Sequence, residues 1–229
     1  MSVCAVLLSY KRPQNMDKII RRILDSKYID KIVLSNNNPE VCIEEWLNLD
    51  DYEVEIINQP IPTLYTMRWQ VASEQQHDFF FCPDDDLYLT GSQIDQLIEE
   101  LFANPSVPHG VVGQLKCYRN GQPFLDSDVG RVNCEIDILN RTYFFTKQQV
   151  LRTLELAKEL GYEDINSTRF MDDVLLSFSG DSRPIIHHVG DLDSCETSVQ
   201  KGVATWREDN FIDTRVEGYM KLQAITGRN

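Results

Sequence analysis

The chain has 229 residues and carries 36 acidic against 22 basic side chains, a formal net charge of −14. A surface this acidic excludes a general grip on nucleic acid or on an anionic membrane, although it leaves room for a local basic pocket that takes one diphosphate. No apolar run approaches the roughly 20 residues that span a bilayer. In chain order, residues 2–9 read as a core strand with no basic, cleavable leader before it. Residues 16–24 read as a helix with Ile19, Ile20, Ile23 and Leu24 on one face, 31–35 as a strand, 42–49 as a short helix and 53–58 as a strand. Residues 64–73 form a further expected helix, 78–82 an apolar strand, and 94–102 a helix with apolar side chains at 94, 97, 98, 101 and 102. Such βαβ alternation predicts an α/β fold with a mostly parallel central sheet and helices on both faces.

After Pro108 the rhythm changes. Residues 111–118 read as a strand, 119–122 as a hairpin turn and 132–145 as mainly extended. A helix over 147–160 is stopped by Gly161, another over 168–178 is stopped at Gly180, and a strand at 184–189 leads into a polar tail with a last helix. Nothing reads as a repeat or a linker, so one domain is expected, with a nucleotide-binding half (1–107) and an acceptor-side half (108–229) that ends in a closing segment. The six scattered cysteines form no C-x-x-C pair, and four lie in apolar, strand-like settings. Buried thiols in a reducing compartment are expected, which makes the chain cytoplasmic, and no protein partner is implied.

The sharpest feature is Asp84-Asp85-Asp86, which follows Pro83 directly after the apolar strand. In open α/β sheets, ligands bind beyond the carboxyl ends of strands. Three carboxylates there repel one another unless a cation offsets them, and Mg²⁺ or Mn²⁺ fits, held by one or two carboxylates while phosphate oxygens complete its shell. The other reading is a solvated loop or helix cap. At the end of the first strand, Ser9, Tyr10, Lys11 and Arg12 bring a hydroxyl, a ring and two cations to a second ligand-facing position. There is no G-x-G-x-x-G and no P-loop, so a nucleotide must be held another way.

Arg68 is the only cation of its helix, and Asp172 and Asp173 lie off the apolar face of theirs, near its start. Those two carboxylates read either as dipole-stabilised surface groups or as groups that act on an acceptor hydroxyl. His187 and His188 follow a strand and point to opposite faces, so at most one reaches any site. Lys201, Arg207 and Arg215 make the tail cationic enough to neutralise a departing diphosphate.

Taken together, these elements resemble the GT-A (Rossmann-like) glycosyltransferases, and among them the exostosin-like retaining hexosaminyltransferases. Seven features keep the family's order: the 9–13 turn, the asparagine-rich strand end at 36–38, Met67-Arg68, the acidic triplet, Phe144-Phe145, Met171-Asp172-Asp173-Val174, and Trp206 with Arg215 nine residues on. The resemblance implies a metal-dependent enzyme that moves a hexose or N-acetylhexosamine from a UDP-sugar to an acceptor hydroxyl, with Mn²⁺ or Mg²⁺ as cofactor and retention at the anomeric carbon. It implies that Asp86 ligates the metal, and that Ser9, Tyr10, Arg12, Asn36, Arg68, Asp84, Asp85 and Lys201 form the nucleotide side. Arg215 is then expected on the diphosphate, and Asp173, with Asp172, at the reacting sugar. Phe211 stands where the family has a histidine, which leaves His187 or His188 as a substitute ligand. Two other readings stay open: a non-catalytic module that binds nucleotide or a divalent ion, and a sugar-1-phosphate nucleotidylyltransferase. The second would need a glycine-rich loop that 9–14 lacks.

Overall fold

The computed structural model describes residues 2–195 and 205–228. Its first half runs β1 (Val3–Ser9), α1 (Met16–Leu24), β2 (Ile29–Asn36), β3 (Glu55–Asn58), α2 (Met67–Glu74), β4 (Phe79–Pro83), β5 (Leu87–Tyr88) and α3 (Gly91–Ala103). Short strands follow: β6 (His109–Gly110), β7 (Val112–Gln114), β8 (Lys116–Arg119), β9 (Gln122–Leu125), β10 (Val129–Gly130), β11 (Cys134–Glu135), β12 (Ile138–Asn140) and β13 (Thr142–Thr146). The remainder is α4 (Lys147–Glu159), α5 (Asp172–Ser177), β14 (Ile185–Ile186), β15 (Asp193–Ser194) and α6 (Phe211–Thr226).

Eight strands form the central sheet in the order β11-β14-β6-β13-β4-β1-β2-β3. Parallel pairing joins β1 to β2 and β4, β2 to β3, and β14 to β6, while β13 runs against both of its neighbours and β11 against β14. The sheet is therefore mainly parallel, as the βαβ rhythm predicts, with one reversed strand in its middle.

Alternation along the strands sorts the core into two layers. Val3, Ala5 and Leu7 pack with α1 and α3 on one face, whereas Cys4 and Val6 join Trp69 of α2 and Val150 of α4 on the other. The reversed strand is locked by the same parity. Phe81 stacks on Phe144 at 4.5 Å and Phe80 on Phe145 at 5.6 Å, one pair per face, with the register Phe81↔Phe144 and Phe80↔Phe145. Helix starts carry their own signals: Thr90 with Gln93 and Thr146 with Gln149 close reciprocal capping boxes on α3 and α4.

Several local expectations need correction. The segment 42–49 holds only a 3₁₀ turn at Ile43–Trp46. The strand over 111–118 breaks at Leu115, because β7 pairs with β10 and β12 while β8 pairs with β9. The β8–β9 hairpin itself turns as expected, through Asn120 and Gly121 at φ of 53° and 77°. The helix expected over 168–178 shrinks to α5, because Phe170 sits in the left-handed region at φ 67° and delays the start to Asp172. Of the six cysteines, Cys4 and Cys82 are buried, Cys42 is exposed and the rest are half-buried. Among the described residues no helix is long and apolar enough to cross a membrane.

Phe144 is fully buried between β4 and the α3 layer. Phe144→Ala should cost about 3–5 kcal/mol in urea unfolding, the usual range for emptying a phenylalanine site in a core. Tyr118→Ala, at a side chain 61% exposed, should stay within about 0.5 kcal/mol of native.

Candidate active site

The carboxyl ends of β1 and β4 and the first turns of α5 and α6 border a cleft of about 720 Å³. One wall is the segment before α2, which the end of β2 holds in place. Asn37 donates its backbone N–H to the Ser9 carbonyl (2.8 Å) and its side-chain amide to the Leu64 carbonyl (2.9 Å), and its own carbonyl accepts from Thr63 N–H (3.1 Å). Tyr10, Arg12, Asn37 and Tyr65 all line the cleft.

Pro83 ends β4, and the triplet turns into the cleft at once, with Asp84 N–H donating to the Arg141 carbonyl at 2.6 Å. Each carboxylate meets a guanidinium. Arg68 Nη1 donates to Asp84 (2.8 Å), Arg12 Nη1 pairs with Asp85, and Asp86 accepts from Arg141 Nη2 (3.1 Å) with Arg12 Nη2 at 3.5 Å. Asn15 fixes the turn from beneath, its side-chain amide donating to the Asp85 carbonyl (2.7 Å). Burial, which outweighs the pull of Arg12, pushes the Asp85 carboxyl up to about 6.

Asp172 and Asp173 open α5 and are buried, both 7% exposed. Their placement depends on groups distant in sequence. The Tyr65 hydroxyl accepts from the left-handed Phe170 N–H, and Trp69 Nε1 donates to the Asp172 carbonyl at 3.1 Å. Arg68 Nε lies 3.8 Å from Asp172, so Arg68 spans the triplet and the α5 pair. Arg215 pairs with Asp173 and donates to Gln114 (3.1 Å) and Asn140 (3.2 Å), while its buried Nε has no hydrogen-bond partner among the described residues. Helix α6 approaches closely enough for this because residue 218 is glycine; a Cβ there would lie 2.2 Å from Met171 Cε. Burial raises both carboxyls above the usual range, with each other's charge adding at Asp172 and Arg215 opposing at Asp173.

The cleft thus gathers Tyr10, Arg12, Arg68, Asp84, Asp85, Asp86, Asp172, Asp173 and Arg215 from the sequence-predicted set. Four others fall outside its lining. Ser9 is buried at the strand end, its carbonyl engaged by Asn37. Asn36 is also buried, and its side-chain amide ties Val41 and Asn58 rather than reaching the cleft.

His187 and His188 do point apart, yet neither lines the cleft, because β14 lies three strands from β4, roughly 14 Å at ordinary strand spacing. His109 Nε2–H donates to the Asn104 carbonyl (2.8 Å), so His109 Nδ1 accepts from His187 Nε2–H (2.8 Å). Burial lowers both imidazoles, His109 to about 4, which keeps this pair neutral. His188 is exposed. Lys201 lies outside the described residues.

Sequence reading missed Arg141, Asn37 and Tyr65. For Arg141 a signal existed: the antiparallel register Phe81↔Phe144 and Thr142↔Pro83, continued one step, sets residue 141 opposite Asp84.

Among the described residues, no group of three or more His, Cys, Asp or Glu side chains is placed to hold a metal ion. The donor set at the triplet nevertheless suits Mg²⁺ or Mn²⁺. Such ions take one or two carboxylates and fill the remaining positions with water and substrate phosphate, and Asp86 faces the cleft as a hard oxygen donor.

No family model matches the chain, and no curated protein matches its sequence. Its fold is similar to that of CMP:2-keto-3-deoxy-manno-octonic acid synthetase complexed with CTP, at a TM-score of 0.52 and 10% identity over 84% of this chain and 91% of that one. It is also similar to residues 1–349 of S. aureus TarS, at a TM-score of 0.53 and 8% identity over 84% of this chain. The match spans 59% of that TarS chain. At such identities the likeness is one of fold, an α/β Rossmann-like sheet.

Two outcomes follow from the buried charges. Arg215→Ala should lower unfolding stability by about 3–5 kcal/mol, because Asp173 is left buried without its cation. Asp172→Asn should act in the opposite sense, with a pH signature. A carboxyl raised in the folded state gives its stabilisation below the unfolded value near 4 and loses it as pH rises through the folded value. The stability of Asp172→Asn relative to native should therefore be higher at pH 8 than at pH 5, by at most about 1.4 kcal/mol per pH unit, and its relative Tm should rise with it. A Tm difference that does not vary with pH would remove this account of Asp172.

Proposed function

We propose that the chain is a metal-assisted glycosyltransferase that moves a hexose or N-acetylhexosamine from a UDP-sugar to an acceptor hydroxyl, with retention. The observation that carries this reading is Arg68, whose one guanidinium joins the strand-end triplet (Asp84) to the buried pair on α5 (Asp172) within a single cleft. The likeness in fold to a synthetase complexed with CTP supports a nucleotide site at the strand ends.

In this reading Tyr10 and Asp84 meet the base and ribose, and Arg12 and Arg68 hold the triplet in register. When bound, a divalent cation at Asp86 supplies charge neutralisation for the leaving diphosphate. Asp173 is the carboxylate nearest the reacting sugar, poised to accept a proton from the acceptor or to stabilise positive charge at the anomeric carbon. Arg215 acts on Asp173 rather than on the diphosphate, since its guanidinium is already committed to Asp173, Gln114 and Asn140.

Burial raises both carboxyls of the α5 pair, which suits a site that takes up and releases a proton. Trp206 and Phe211, which line the cleft beside Asp128, suit an acceptor with an apolar face and hydroxyls.

The synthetase likeness favours one rival, a nucleotidylyltransferase, because it covers 91% of that chain. Against it, the turn after β1 contains no glycine and enters α1 through a 3₁₀ turn at Pro13–Asn15, so no backbone cradle for a triphosphate is built there.

A product assay separates the two. The transferase reading expects a panel of UDP-sugars with Mn²⁺ to yield UDP. Pyrophosphate from CTP or UTP plus a sugar acid or sugar phosphate, with no UDP from any donor, would replace it. Asp86→Asn should lose metal-dependent UDP binding by calorimetry, whereas Asp173→Asn should keep UDP affinity and lose turnover. Equal loss of UDP binding in both variants would undo this division of roles.

A further inference from the structure

Arg141 differs from the other cleft arginines in three respects. Its backbone is left-handed at φ 66°, a conformation that glycine adopts freely and arginine does not. Its side chain is 26% exposed, against 9%, 6% and 2% for Arg12, Arg68 and Arg215. All its side-chain hydrogen bonds also run through one atom: Nη2 donates to Asp86 Oδ1 (3.1 Å), to the Asp86 carbonyl (3.4 Å) and to Ser194 Oγ (3.2 Å). The Nε and Nη1 donors of a residue that lines the cleft have no protein acceptor among the described residues.

The backbone of residue 141 has separate work. Its carbonyl accepts from Asp84 N–H, and its N–H donates to the Tyr143 hydroxyl at 3.1 Å. Those bonds hold the triplet against β13 whatever side chain stands there, and glycine would make them without strain. The side chain is therefore not what the turn requires. Its remaining donors call for an acceptor that the described residues do not supply. A guanidinium that gives one amino group to Asp86 and presents the other matches a carboxylate and a phosphate oxygen held side by side.

We infer that Arg141 is the residue that grips the terminal phosphate of a nucleoside diphosphate in this cleft. The assignment rests on the nucleotide-sugar reading above and replaces Arg215, which is engaged with Asp173, as the diphosphate cation. Arg141 stays paired with Asp86 through Nη2 and receives a phosphate oxygen on Nη1 at the same end of the guanidinium, so it can bind the leaving group without abandoning the carboxylate. Arginine suits this position and lysine does not, because an ammonium lacks the fixed geometry for two acceptors at once.

The test uses Arg141→Gly and Arg141→Lys in the full chain, with thermal melting and calorimetric titration of UDP, UMP, CDP and CMP, in EDTA and again with Mn²⁺. Arg141→Gly should melt at or above the native temperature, because the strained backbone is relieved. It should lose at least tenfold in affinity for the diphosphate of whichever nucleoside the native protein binds, and no more than about twofold for the monophosphate. Arg141→Lys should recover only part of the diphosphate affinity. A drop in melting temperature with equal losses for mono- and diphosphate would make Arg141 a structural clamp and overturn the assignment, and so would an unchanged diphosphate affinity. A native protein that binds none of the four nucleotides would remove the nucleotide reading, and this assignment with it.

Discussion

The carboxylates of Asp84, Asp85, Asp86, Asp172 and Asp173 converge on one cleft, and the arrangement is tolerable because guanidinium groups are threaded among them. Asp172 and Asp173 are adjacent, buried and like-charged, a combination that would drive the α5 start into solvent if nothing opposed it. Arg68 and Arg215 oppose it from two sides, and each is itself nearly inaccessible, so removing either cation would leave an acid with no water to turn to. The position of α6 follows from this requirement. Arg215 must reach Asp173, α6 must come close to Met171, and residue 218 has no side chain to prevent it.

The second constraint is the reversed strand. A purely parallel sheet would carry another βα turn next to the acidic triplet; here β13 runs against β4 instead and delivers the start of a strand to the end of its neighbour. Two stacked phenylalanine pairs hold that register on both faces of the sheet, so a slip of one residue would exchange the two core layers. Fixing the register also fixes Arg141 opposite Asp84. Core packing and site geometry are in this respect one constraint.

Local patterns revealed some of this. The alternating first half, its core strands and the two capped helices follow from periodicity and from threonine–glutamine boxes, which act over a few residues. The acidic triplet was legible because a proline ends an apolar strand directly before it. What escaped was non-local. Asp172 and Asp173 lie off the apolar stripe of their helix and so read as possible surface groups, yet arginines from α2 and α6 make their burial possible. The need of three adjacent acids for a cation was readable, but the share of that charge which Arg12, Arg68 and Arg141 supply was invisible in one dimension. For the histidines the strand parity was right but the strand's place in the sheet was not readable, and β14 sits too far from β4 for either ring to take part.

The absence of a glycine-rich turn after β1 bears on how any phosphate could be held. Glycine loops bind phosphate with backbone N–H groups that have no other partner, so binding fills a vacancy. This cleft offers side-chain cations that are already paired, so an anion must share partners with the carboxylates or displace them. Sharing favours arginine, whose planar group can face a carboxylate on one edge and a phosphate on another, whereas a lysine ammonium would have to divide a single point charge. It also keeps the net charge of the empty cleft low, so the acids do not have to be protonated or hydrated before a ligand arrives. A cleft of this kind discriminates by geometry more than by attraction: an anion gains little from the already balanced field, and binds well only if its oxygens lie where the spare edges of the guanidinium forks point.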